Sequence, residues 1–406
     1  MTQEDFAKLR TLLSKEQSRE NFGCILDHFK TWRDSSTLQM GLDYAENHLE
    51  EWKDTDRLLL DLELCWPDCP EKHPLPSLQL VRYVDLTKKN HGTNIAKAIA
   101  GTPLLQRLST LRLTSNSSNW MSLEGLQAIL QSPYIKKLKR LYLFGPPMFR
   151  DEGAKAIANA SSLSQLEELF VINDLIKDDG CAAIANSSYM ANLTQLGLFG
   201  NEYLRNEGAK AIANSPHMAN LKYLSCPHCG IDTEGIVAIA NSPYMANLEH
   251  LNLDNKDFSE PGSGKEGVTA IANSPHMSNL RTLDLVNHRM GPEGAIAIAN
   301  SPYLTKLEKL IIPHRLAEDE GIIAIANSSN LTSLRKLDLD RPDQLGEQAL
   351  QAIRRSKHLY PGIRRPYLET LNKKQLYEEA KTLRVPGRSK MTRAKLIEAL
   401  LHPTQQ

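Results

Sequence analysis

The chain of 406 residues is poor in aromatics, at 6%, and holds only six cysteines. No apolar run approaches the length of a membrane-spanning helix or of a signal-peptide core, so a cytoplasmic protein is expected. Cysteines this sparse (Cys24, Cys65, Cys69, Cys181, Cys226 and Cys229) fit reduced thiols better than the disulfide framework of a small secreted domain, and no disulfide is expected. No tract combines low hydropathy with one charge sign, which argues against a long disordered tail. A Walker loop, a GxSxG elbow, an HExxH helix and a Cys–His pair in a plausible context are all missing, and with them the usual signs of an enzyme.

Net charge is also missing, with 48 Lys and Arg against 48 Asp and Glu, but the balance is uneven along the chain. From Leu350 onward 13 Lys and Arg face 4 Glu, leaving 35 against 44 before it. The C-terminal stretch is therefore basic, which bears on partners more than the zero total does.

What the sequence has in abundance is repetition. The segments DEGAKAIAN, DDGCAAIAN, NEGAKAIAN, TEGIVAIAN, KEGVTAIAN, PEGAIAIAN and DEGIIAIAN place glycines at 153, 180, 208, 235, 267, 294 and 321. Spacings of 27 or 28 residues recur, with one of 32 where an insertion, SEPGSGK, occupies 259–265. Between them runs LxxLxL, beginning at Leu138, Leu166, Leu193, Leu221, Leu248, Leu280, Leu307 and Leu334, with weaker copies at Val81 and Leu108, giving about ten units. Alternation within LxxLxL predicts a short strand with one buried face. Gly, then Ala and Ile three and four residues on, as at Gly153, Ala156 and Ile157, predicts a helix whose small residues lie close to the strand layer. Asn-Ser-Pro then stops the helix, because the residue before proline is pushed from helical torsions. Units that cannot shelter their apolar faces alone must stack, so a parallel α/β solenoid is predicted.

These features resemble the ribonuclease-inhibitor-like class of leucine-rich repeats over about residues 78–358. The resemblance implies a curved horseshoe with strands on the concave face, helices on the convex face, and protein binding as the usual role. The ninth motif position, ordinarily Asn or Cys bonding the turn backbone, is filled that way by Asn116, Asn201 and Cys229, whereas Pro146, Asp174, Lys256 and His288 depart from it and predict irregular turns.

Residues 1–77 lack the repeat and read as helices, either a cap over an open solenoid end or a docking module. In 359–406 two short helices flank VPGRSKM, with Asn372 or Thr370 capping the first and Thr392 the second. This resembles the SAP-type helix–extended loop–helix module, closest to the form at the start of bacterial transcription termination factor Rho, and the resemblance implies nucleic-acid binding. Lys373, Lys374, Arg388, Lys390, Arg393 and Lys395 are the candidate phosphate contacts, extended upstream by Arg354, Arg355, Lys357, Arg364 and Arg365. The alternative is a solvated basic surface on a protein-docking module.

Cys226-Pro-His-Cys229 suggests metal or redox chemistry, but its cysteines fall on buried and turn positions of the repeat, and no second pair completes four ligands. Cys65, Cys69 and His73 likewise lack a fourth ligand. His217 and His276 stand where other copies have Tyr and read as half-exposed packing residues. No metal, cofactor or catalytic residue is expected. The outward third, fifth and seventh motif positions remain, and in the central units they form an aromatic stripe: Arg140, Tyr142, Phe144; Glu168, Phe170, Ile172; Gln195, Gly197, Phe199; Tyr223, Ser225, Pro227. Later units turn polar, with His250, Asn252 and Asp254 first among them. Exposed aromatics on adjacent strands suit a protein ligand; alternatively they pack on one another. The reading is a cytoplasmic, bacterial adaptor that holds a protein on this face and touches DNA or RNA through its C-terminal module. Alternatives are a pure interaction scaffold, or a transcription-termination or nucleoid regulator in which nucleic-acid binding is primary.

Overall fold

The computed structural model describes residues 3–32, 34–59, 76–86, 92–114, 121–145, 149–255, 264–339 and 342–402. Two compact units divide the chain, Met1–Asn201 and Glu202–Gln406.

The first unit opens with three helices, α1 (Gln3–Leu13), α2 (Arg19–Lys30) and α3 (Leu38–Leu49), packed through Leu9, Phe22, Ile25, Leu42 and Leu49, all essentially inaccessible. Six parallel strands follow in chain order: β1 (Leu58–Leu59), β2 (Tyr83–Leu86), β3 (Thr110–Thr114), β4 (Arg140–Phe144), β5 (Glu168–Ile172) and β6 (Gln195–Gly197). Strand β1 precedes the first repeat that the sequence pattern revealed, because two residues are too few to show an alternation. The register sets Leu111, Leu141, Leu169 and Leu196 side by side. Helices α4 (Thr93–Gly101), α5 (Leu123–Leu130), α6 (Arg150–Ala158) and α7 (Asp178–Ala185) alternate with the strands.

The second unit repeats the plan with β7 (Tyr223–Ser225), β8 (His250–Asn252), β9 (Thr282–Asp284), β10 (Lys309–Ile312) and β11 (Lys336–Leu339), all parallel, with Leu224, Leu251, Leu283, Leu310 and Leu337 in register. Its repeat helices are α8 (Asn206–Asn214), α9 (Thr233–Asn241), α10 (Lys265–Asn273), α11 (Gly291–Asn300), α12 (His314–Asn327) and α13 (Glu347–Arg355). Three more, α14 (Pro361–Glu369), α15 (Lys373–Thr382) and α16 (Arg393–Leu401), share a small core of Leu368, Leu376, Ala380, Val385, Leu396 and Leu400. Among the described residues, no helix is long and apolar enough to cross a membrane.

The repeat glycines serve helix-to-helix packing rather than the closeness to the strand layer expected from sequence. A Cβ at Gly235 would lie 3.0 Å from Ala209 Cβ, and one at Gly321 only 2.5 Å from Ala295 Cβ, each on the preceding helix. The Asn-Ser-Pro stop also has a second role. In the second unit the hydroxyls of Ser242, Ser274, Ser301, Ser328 and Ser356 donate to the carbonyls of Ala213, Ala240, Ala272, Ala299 and Ala326, and Ser132, Ser162 and Ser187 make the equivalent bonds in the first. Each serine thus satisfies an orphan carbonyl at the end of the previous unit's helix, tying neighbour to neighbour. Opposite charges one residue after the first leucine add register: in the second unit Lys222, Glu249, Arg281 and Glu308 alternate across successive strands, with Lys222–Glu249 and Arg281–Glu249 both at 3.6 Å.

The turn position behaves better than its composition predicts. Asn201, fully buried, accepts from the amides of Asp174 and Ile176 and donates to the carbonyls of Val171 and Leu198. Asp174 accepts from the Phe149 amide at 2.8 Å, and His288 bonds the Leu253 carbonyl at 2.5 Å, so both substitutes also reach the preceding turn. Asn116, Pro146 and Lys256 lie outside the described residues.

Candidate functional site

In the first unit, β4 and β5 alternate half-buried and buried residues, which turns Arg140, Tyr142, Phe144, Glu168, Phe170 and Ile172 to the strand face that the leucines avoid. Tyr142 and Phe170, cross-strand partners, stack with ring centroids 5.2 Å apart, and Tyr142 and Phe144 lie 6.3 Å apart. Arg112 of β3 lays its guanidinium 4.9 Å from the Phe144 centroid and 5.7 Å from that of Tyr142. Its Nη1 is 3.5 Å from Asp85, while its Nε is buried with no hydrogen-bond partner among the described residues.

Glu168 organises the polar side of this stack. It accepts from the Tyr142 hydroxyl, from Arg140 Nε at 3.2 Å and from Gln195 Nε2 at 3.3 Å. Burial and then the bond to Glu168 push the Tyr142 phenol well above its ordinary range, so it stays protonated. Burial opposes the charge of Arg140, but Glu168, with Asp54 at 3.5 Å, outweighs it and raises that guanidinium. Phe170 leans over Gly197, where a Cβ would come within 2.3 Å of the ring, so this glycine makes room for the stack. Phe199 is half-buried, with its carbonyl accepting from the Asn173 amide. The aromatics of β4 and β5 do pack on one another, and they keep one side open.

The second unit's strand face is different. Tyr223 and His250 approach to 6.0 Å between centroids, and Asn252 accepts from the Asp254 amide. Burial raises the carboxyls of Asp254 and Asp284, and for Asp284 the neighbouring Asp254 and Asp338 add to it. Lys336 and Lys309 sit 3.0 and 3.8 Å from Asp338. Ser225 and Pro227, expected to point outward, are buried: Ser225 is small beside larger neighbours, and Pro227 lies past the end of β7, where strand alternation ceases. Cys226 and Cys229 are buried, and His217 and His276 are half-buried. Cys65, Cys69 and His73 lie outside the described residues.

In the C-terminal helices Asn372 and Gln375 form a reciprocal capping box on α15, Gly387 turns the chain with φ of 67°, and Thr392 caps α16. Lys373, Lys374, Lys390 and Lys395 are exposed, without an ion pair among the described residues. Lys374, however, lines a cleft of about 410 Å³ with Glu347, Glu378 and Glu379. Arg388 is half-buried, donates to the Val385 carbonyl at 3.0 Å and lies over Tyr377; Arg393 donates to the carbonyls of Leu371 and Glu369. The upstream arginines do not extend a basic surface. Arg354 and Arg355 pair with Glu347 and Glu379, Arg365 with Glu398, and buried Arg364 donates to the carbonyls of Arg354, Leu400 and Leu401. Helix ends leave carbonyls without partners, and these guanidiniums supply the donors.

Sequence reasoning missed Arg112 and Asp54. Arg112 carried a signal, being the outward fifth residue of the weak repeat beside Tyr142. Asp54 carried none, since only folding brings it to Arg140.

Two segments, residues 189–213 and 276–299, match the Leucine Rich repeat family model. With one parallel strand and one helix per repeat, the fold is that of an α/β leucine-rich-repeat solenoid. No curated protein matches the sequence. Among solved structures, a chain of the crystal structure of the Rad7 and Elc1 complex in yeast is similar at a TM-score of 0.44 and 14% identity, over 85% of this chain and 92% of that one.

Proposed function

We propose that this protein is a non-catalytic scaffold that binds a protein partner on its strand faces. It reads as a helical cap over 1–77, repeats over 78–358 and a helical module over 359–406. One observation carries the reading: the rigid, half-open Arg112–Tyr142–Phe144–Phe170 stack held by Glu168. Rigid aromatics and the guanidinium stacked on them lose little freedom on binding, and covering them takes apolar surface out of water, as interface anchors do. Arg140, Ile172, Gln195 and Phe199 border the stack, while Tyr223, His250, Asn252 and Asp254 offer a polar counterpart in the second unit. A photo-crosslinking residue at Ile172 is expected to trap a partner that the same residue at Lys155, on α6, does not. Phe144→Ala should lower the yield by about tenfold while thermal unfolding stays within a few degrees. Equal trapping from both positions overturns the reading.

A second reading, contact with DNA or RNA through 359–406, is supported by exposed Lys390, in the turn before α16, and exposed Lys395, in its first turn. Arg388 and Arg393 are committed to backbone carbonyls and Lys374 sits among glutamates, so the contact would engage about three lysines, and log K should fall against log salt with a slope of about −2 to −3. Salt-independent binding, or no loss on Lys390→Glu/Lys395→Glu, rules it out.

A further inference from the structure

Beside the strand face of the first unit, three arginines converge on one carboxylate. Glu46 of α3 is 2.5 Å from Arg57 through Oε2, while its Oε1 takes Arg82 and, at 3.0 Å, Arg107. These arginines lie just ahead of β1, β2 and β3, so successive units bring them together. Two of the three have structural work. Arg57, its side chain 3% exposed, also donates to the carbonyls of Leu80 and Leu49, and Arg82, 11% exposed, to those of Gln79 and Val81. Arg107 is 46% exposed and makes only the contact to Glu46 among the described residues.

Among the described residues, three guanidiniums on one carboxylate leave two positive charges uncompensated. The nearby carboxylates are engaged elsewhere: Asp54 with Ser109 at 2.6 Å and Arg140 at 3.5 Å, Asp85 with Arg112 at 3.5 Å. The crowding is felt within the group, since burial and then Arg57 and Arg107 bring Arg82 down to about 10. Like charges gathered in a half-buried place oppose folding unless an anion joins them.

We propose that Arg107 and Arg82, backed by Arg57, form a binding site for one phosphate group, whose charge of −1.5 to −2 matches the local surplus and whose oxygens suit the guanidinium fork. The site stands apart from the aromatic stack and does not depend on it.

The test uses the full chain, with sodium phosphate titrated against sodium chloride at equal ionic strength and thermal unfolding as readout. Phosphate should raise Tm by about 3 °C at ten times its Kd, and Arg107→Gln should weaken binding at least about tenfold. Should Arg107→Gln not fold, Arg107→Lys keeps the charge without the fork and should still lose several-fold. O-phospho-L-serine provides the second arm: tighter binding than inorganic phosphate assigns the site to a phosphorylated residue of a partner, equal or weaker binding to free phosphate. A chloride-matched control that gives the same rise, or variants that bind as well as the wild type, overturns the proposal.

Discussion

The strand faces of the two units are built on the same repeat and end in opposite chemistry. In the first, rings stack across β4 and β5 and Glu168 is tied to three neighbours. In the second, carboxyls sit beside each other with burial raising them, and the rings of Tyr223 and His250 stand 6.0 Å apart. Leucines in register lie beneath both faces, so the difference lies in the outward-facing side chains. It teaches that one face is rigid before any partner arrives, whereas the other holds charge at an energetic cost.

Breaking the first face should have the largest effect. Phe170→Ala removes the ring that joins Tyr142 to the roof over Gly197 and is expected to cost about 2–3 kcal/mol in chemical denaturation; a loss below about 0.5 kcal/mol would mean the stack is loose. Gly197→Ala acts from below by displacing the same ring, at about 1–2 kcal/mol, and should change the near-ultraviolet aromatic signal as well. Tyr142→Phe deletes the bond to Glu168 for about 1 kcal/mol.

That third variant also has a pH signature. The Tyr142 phenol is raised in the folded protein, so above its ordinary value near 10 the unfolded chain releases a proton that the native one keeps, and stability falls as pH rises beyond that point. Tyr142→Phe should flatten this alkaline decline, and an unchanged slope would place the cause elsewhere.

On the second face the sign is the same and only the pH window moves, to the acid side. A carboxyl raised by burial binds its proton more tightly when folded, so stability declines as pH climbs from 3.8 through the raised value and the penalty persists at neutrality. Asp284→Asn keeps the acceptor for the Val286 amide and should stabilise by about 0.5 kcal/mol at pH 7, a gain that vanishes below pH 3.8. His250→Ala should change stability least, within about 0.5 kcal/mol, since its ring only tilts against Tyr223.

Much of this was legible in the residues. Spacing of LxxLxL and of the helix glycines gave the parallel units, and alternation picked out Tyr142, Phe144 and Phe170 as outward-facing. What stayed hidden were pairings between units. Nothing in Asn-Ser-Pro says that its serine reaches an alanine carbonyl some 30 positions back, and nothing in a run of arginines tells which will turn inward to meet helix ends. Lys and Arg look alike in a charge count; the folded chain separates them, leaving Lys390 and Lys395 in solvent and burying Arg364.

By itself, then, the sequence determined the repeat, because periodicity in burial is a local property that each unit restates. The tertiary structure alone decided which charges remain available and which rings are already covered, because hydrogen bonds, ion pairs and stacking depend on distances between residues that the chain keeps far apart.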